Sequence, residues 1–125
     1  MKNSFLLLGA FASLVTLAAG AQTNPHNGTW TASYKSDRGT NRDGTVVVDN
    51  QGGSWDMNVQ SRNDPCVGQK VPITVETATP EELVFHVNRS KVLAGCTDSR
   101  ISMKVVDSGT LTGTFGGRDF TMKKK

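Results

Sequence analysis

Gly28-Thr29-Trp30-Thr31-Ala32-Ser33-Tyr34-Lys35 is the stretch on which the fold turns. Trp30, Ala32 and Tyr34 fall on one side of an extended chain, while Thr29, Thr31, Ser33 and Lys35 fall on the other. That period of two is the mark of a half-buried antiparallel strand. The same split recurs downstream: Val46 and Val48; Trp55, Met57 and Val59; Val71, Ile73 and Val75; Leu83, Phe85 and Val87; Ile101, Met103 and Val105; Leu111 and Phe115; Phe120 and Met122. Eight strands are therefore expected, and no run rich in Ala, Leu, Glu and Lys points to a helical bundle.

Asn50-Gln51-Gly52-Gly53, Thr79-Pro80, Asp107-Ser108-Gly109 and Gly116-Gly117 carry hairpin turn chemistry between these runs. The expected fold is all-β: an eight-stranded antiparallel up-and-down meander closed into a small barrel, with a two-sheet β-sandwich as the alternative. In a meander the odd connections share one end. These are Ser36 to Asp43, Ser61 to Gln69, Arg89 to Asp98, and Gly116-Gly117. Cys66 and Cys96, the only cysteines, fall in two of them and are expected to form a disulfide. Ser90 to Gly95 is expected to form one helical turn capped by Ser90, with Val92 or Leu93 plugging the barrel mouth.

Lys2, the apolar run Phe5 to Ala19 and the small residues Ala19-Gly20-Ala21 read as a cleaved signal peptide spanning 1–21. The expected address is periplasmic or extracellular. Cutting 21 of the 125 residues leaves 104, enough for one domain over 22–122. Gln22 to Asn27 reads as a flexible lead-in, and Lys123, Lys124 and Lys125 as a basic flexible tail. The sequence pI of about 9.1 is then carried largely by that tail, which removes the support for a nucleic-acid partner. Nothing after the first twenty residues is apolar for long enough to span a bilayer as a helix.

Gly28-Thr29-Trp30 at the start of the first strand resembles the Gly-x-Trp signature of the calycins, the lipocalin and avidin type of barrel. The resemblance implies that Arg118 packs over Trp30. Ala32 stands where avidins carry a biotin-binding Asn, so biotin binding is not implied. A second triplet, Gly53-Ser54-Trp55, follows the same pattern. Size, export and a single disulfide are also similar to small periplasmic lysozyme inhibitors built as eight-stranded barrels, without their loop motifs.

Enzyme chemistry has no foothold: Gly-x-Ser-x-Gly, His-Glu-x-x-His and a phosphate-cradling Gly-rich loop are all missing. His86 alternates onto the polar face, and neither a metal set nor a cofactor motif is present. The interior candidates Trp30, Tyr34, Trp55, Phe85, Phe115 and Phe120 are suited either to a packed core or to a small apolar ligand. The binding candidates gather at the long-loop end: Asp37, Arg38, Arg42 and Asp43, then Arg62, Asn63 and Asp64, then Arg89 and Lys91. Loops held on a rigid barrel present a preorganised surface, and arginines grip carboxylates through paired hydrogen bonds. The function expected is an exported binding module engaging a protein or envelope polymer there, as an inhibitor of an extracytoplasmic enzyme in one form. A carrier of a small apolar ligand is the alternative. Asn27-Gly28-Thr29 and Asn88-Arg89-Ser90 match the glycosylation pattern.

Overall fold

Alternation becomes strand wherever it falls on described residues. The computed structural model describes residues 23–36, 38–58 and 64–125. Its strands are β1 (Gly28–Lys35), β2 (Asn41–Asp49), β3 (Gly52–Met57), β4 (Val71–Ala78), β5 (Glu82–Val87), β6 (Ser99–Asp107), β7 (Thr110–Phe115) and β8 (Arg118–Lys124). Each pairs antiparallel with its successor, and β1 pairs with β8 from Trp30↔Lys124 to Tyr34↔Phe120. The sheet is a closed barrel in meander order, not a sandwich.

Closure brings the inward side of every strand to one axis. Phe85, Phe120, Leu83, Ile101, Met103 and Met122 are fully buried there, so the interior is occupied by side chains. Trp30 and Trp55 are both inward, and the glycines of both Gly-x-Trp triplets have positive φ, +141° at Gly28 and +135° at Gly53. A side chain at Gly53 would run into the Val47 carbonyl of the neighbouring strand. The second triplet is thus the same local device as the first.

Several expectations are corrected. Lys123 and Lys124 are not a tail: they lie in β8, Lys123 paired with Thr110 on β7 and Thr31 on β1, Lys124 with Trp30 on β1, and the Lys125 N–H donates to Thr29 O at 2.9 Å. Backbone pairing is indifferent to the charge that a side chain holds out into solvent. The Nζ of Lys124 lies 5.7 Å from the centre of the Trp30 ring, which is the place the calycin resemblance assigned to Arg118. Arg118 begins β8 and pairs with Phe115, near the opposite end of the barrel. The lead-in is also tied down. His26 is buried and its Nε2 is 2.6 Å from Thr79 O, Trp30 Nε1–H donates to His26 O, and the Asn27 side chain accepts from Asn50 N–H. A buried indole needs an acceptor, and the segment 24–27 supplies it.

The second strand starts at Asn41, so Arg42 and Asp43 are strand residues facing Tyr34 and Ser33 rather than loop residues. Hydrogen bonds from Ser36 N–H to Thr40 O and from Gly39 N–H to Ser36 O close the turn in fewer residues than its polarity suggested. Residues 1–22, with the signal-peptide reading, and 59–63, with Val59, lie outside the described residues.

The outer face of β4, β5 and β6 carries an ion network. Glu76 accepts from Arg100 at 3.0 and 2.7 Å and lies 2.7 Å from His86 Nε2, while Lys104 donates to Glu82 at 3.1 Å. Val84 lies between the His86↔Arg100 and Glu82↔Lys104 pairs, and it is buried although it points outward. Long cationic side chains cover apolar surface with their stems in this way.

Cys66 and Cys96 are bonded, with Cα atoms 5.6 Å apart across a sequence separation of 30. Cross-linking a loop of that length constrains the unfolded chain by about 3 to 4 kcal/mol in the loop-entropy account. Cys96→Ser is expected to lower the melting temperature by on the order of 15 °C, with strand content by circular dichroism unchanged; an unchanged melting temperature would remove the bridge's role. Arg100 first, then His86, holds the Glu76 carboxyl down at about 2 from its ordinary 4.5. Because the folded value is depressed, its contribution to stability is complete above about 4.5 and is lost as pH falls towards about 2. A carboxyl-carbon NMR titration should place Glu76 near that lower value and return it towards 4.5 in Arg100→Gln.

Candidate functional site

The mouth at the long-loop end is where polar and aromatic chemistry meet. Tyr34 ends the inward row of β1, and Phe115 that of β7. Their rings meet edge-on at 5.2 Å, Trp55 lies 5.4 Å from Phe115, and Trp55 stacks on Phe120 at 5.5 Å. The result is an aromatic floor beneath the mouth. Trp30, at the far end, takes no part in it. The interior candidates therefore divide: Phe85 and Phe120 are buried core, while Tyr34 and Phe115 remain partly exposed.

Strand alternation then places arginines around that floor. Extending the inward row Leu83, Phe85, Val87 by one step reaches Arg89. Stepping back from Phe120 gives Arg118, and from Val46 through Gly44 gives Arg42. Arg42 and Arg89 were visible as candidates from their charge, but Arg118 was missed because it had been assigned to Trp30. Its parity with Phe120 and Met122 was the signal that could have found it.

Arg89, not Val92 or Leu93, covers the mouth. Its guanidinium carbon lies 5.7 Å from the centres of both the Trp55 and Phe115 rings, and Nη1 donates to Ser99 Oγ at 2.8 Å and to Thr97 O at 3.5 Å. Burial pushes its pKa down from the ordinary value, opposed by the nearby Tyr34, Asp98 and Asp64. Among the described residues no carboxylate forms an ion pair with Arg89, and its Nε and Nη2 make no hydrogen bond. The remaining donors of the planar fork are therefore left unfilled among the described residues.

The loop that carries Arg89 is organised by its neighbours. A short 3-10 turn runs Arg89–Lys91, with Asn88 rather than Ser90 at the cap position. Ser90 instead gives its N–H to Asp98 Oδ1 at 2.8 Å and its hydroxyl to Asp98 Oδ2 at 3.0 Å, and these bonds hold the Asp98 carboxyl below the usual range. Satisfying Asp98 draws Ser90 across the loop, and Val92 and Leu93 are consequently turned outward, 43% and 36% exposed. Asp64 accepts from Cys66 N–H at 2.9 Å and forms the turn on the other side of the disulfide. Between the two loops lies a surface cleft of about 300 Å³, lined by Arg89, Phe115, Val67, Cys66, Ser99 and Thr97 among others.

The remaining candidates are placed as follows. Arg38 is exposed in the β1–β2 turn, Asp43 accepts from Asn58 at 3.3 Å, and Lys91 is exposed beside Arg89. Asp37, Arg62 and Asn63 lie outside the described residues. Neither glycosylation pattern presents an unengaged Asn: Asn27 bonds Asn50, and buried Asn88 donates to Thr74 Oγ1 at 2.8 Å. Among the described residues, no three His, Cys, Asp or Glu come together as metal ligands would, and no helix is long and apolar enough to cross a membrane.

No family model, curated protein or solved structure matches this chain, so the geometry of the mouth carries the functional reading alone.

Proposed function

We propose that this chain is an exported binding module, not an enzyme, that engages an acidic protein or envelope polymer through the mouth of its barrel. The observation that carries the reading is Arg89, a half-buried cation set on two aromatic rings, with donors unfilled and no ion-paired carboxylate among the described residues. Such a group binds an anion strongly, because part of its water has already been removed and its geometry is fixed. Arg42 and Arg118 stand on strands at the same end of the barrel, and the disulfide supports both export into an oxidising compartment and a rim that needs little ordering to bind. Inhibition of an extracytoplasmic enzyme follows where the partner's carboxylates are its catalytic groups.

Carriage of an apolar molecule is less well supported, since the positions a ligand would occupy are filled by Phe85, Phe120, Leu83 and Ile101.

The test is capture from an envelope extract by the immobilised protein, beside the double variant Arg42→Gln/Arg118→Gln. A partner retained by the native chain and released by salt should be held at least about tenfold more weakly by the variant. Retention that is equal in both would overturn the reading. Native mass spectrometry showing an apolar adduct would replace it with the carrier.

A further inference from the structure

The cleft beside Arg89 is more selective than a positive rim. Arg89, set over the Phe115 ring, lines it together with Val67 and Cys66, so a cation and apolar surface share one cleft. Ser99 and Thr97 line it as well, with Ser99 already holding Nη1 in place. Asp64, also among the lining residues, accepts the Cys66 N–H on Oδ1 and acts electrostatically on Arg89. An apolar side chain removes more apolar surface from water against Phe115 and Val67 than the hydroxylated ring of a sugar acid or a polyanionic strand does. A carboxylate one residue's reach from an apolar side chain satisfies the cation and the apolar surface at once.

From this we infer that the cleft is a polypeptide subsite: Arg89 receives a single carboxylate through Nε and Nη2, and Phe115 and Val67 receive the neighbouring apolar side chain. The inference rests on the proposed binding role of the mouth and narrows the partner to a protein. The carboxylate comes either from a chain terminus or from an acidic residue next to an apolar one. Arg89 stays fixed on Ser99 and Thr97 in either case, so the ligand is oriented by the fork while the apolar surface selects it.

The probes are N-acetylphenylalanine, its amide, N-acetyl-aspartyl-phenylalanine amide and galacturonate, titrated into the oxidised protein while the Arg89 Nε–H and Phe115 ring signals are followed by NMR. N-acetylphenylalanine should move both signals and bind at least about tenfold tighter than its amide and than galacturonate. If the aspartyl peptide is the tighter acid, the source is a side chain; if N-acetylphenylalanine is, the source is a terminus.

Arg89→Lys keeps the charge and should lose most of the binding. Val67→Glu, at a half-exposed loop position outside the barrel, should repel both acids without altering the strand signals. Binding of the amide equal to that of the acid, or galacturonate as tight as either peptide, would overturn the subsite. Failure of both acids while envelope capture still depends on Arg42 and Arg118 would remove this inference and leave the binding module. Binding of an acid without any captured partner would leave the subsite and remove the wider reading.

Discussion

Five backbone pairs between β1 and β8, from Trp30↔Lys124 to Tyr34↔Phe120, turn a row of hairpins into a ring. Without them the first and last strands would be open edges, and the inward side chains of β1 and β8 would face water. With them, Ala32 and Met122 meet across the seam, both fully buried, and the aromatic contact of Tyr34 with Phe120 is made. Meander order decides where the connections go. Odd-numbered connections leave at the end where Tyr34 and Phe115 finish their strands, and Cys66 and Cys96, in two of them, are bonded there.

The two ends of the ring are built for different work. At the short-turn end, polar groups are consumed internally: Trp30 gives its N–H to His26, Nε2 of His26 meets Thr79, and Asn24 and Asn27 both hold Asn50. At the other end, the same aromatic density is topped by Arg89, of whose nitrogens Nη1 alone is bonded among the described residues. Trp30 and Trp55 make the contrast plain, because both follow a positive-φ glycine and both point inward. Trp30 lies under Lys124 and closes one end, whereas Trp55 supports Arg89 at the other. Identical local devices acquire different roles from the end they occupy.

Period two made the strands legible, and their turns made the meander and the disulfide legible, since each is a local property or a consequence of topology. Closure of the meander was legible too, but how far the last strand runs along the first was not. Lys123 and Lys124 look like a solvated terminus until β1 is seen to need a partner, and Arg118 was taken to the wrong end because a three-residue resemblance was followed in place of its parity with Phe120. Val92 and Leu93 looked like a plug because they are apolar. The competing term was Asp98, whose two oxygens each claim a donor from Ser90 and thereby set the course of the loop. Hydrogen bonds between residues eight apart in a loop leave no periodic trace.

What remains is why arginine stands at the end of three inward rows. A barrel selected only for stability would extend Leu83, Phe85 and Val87 with another apolar residue, and would place one before Phe120. Arg89 instead loses part of its hydration to the barrel mouth, and burial lowers its pKa as a result. Packing over Trp55 and Phe115 offsets some of that loss, since a desolvated cation over an aromatic ring gains about 2 kcal/mol. Nη1 is satisfied by Ser99 and Thr97, which leaves the remaining fork uncompensated within the described chain. A fold otherwise consistent from period to packing breaks its own pattern at this one mouth, and such local departures concentrate where a surface is kept for something outside the molecule.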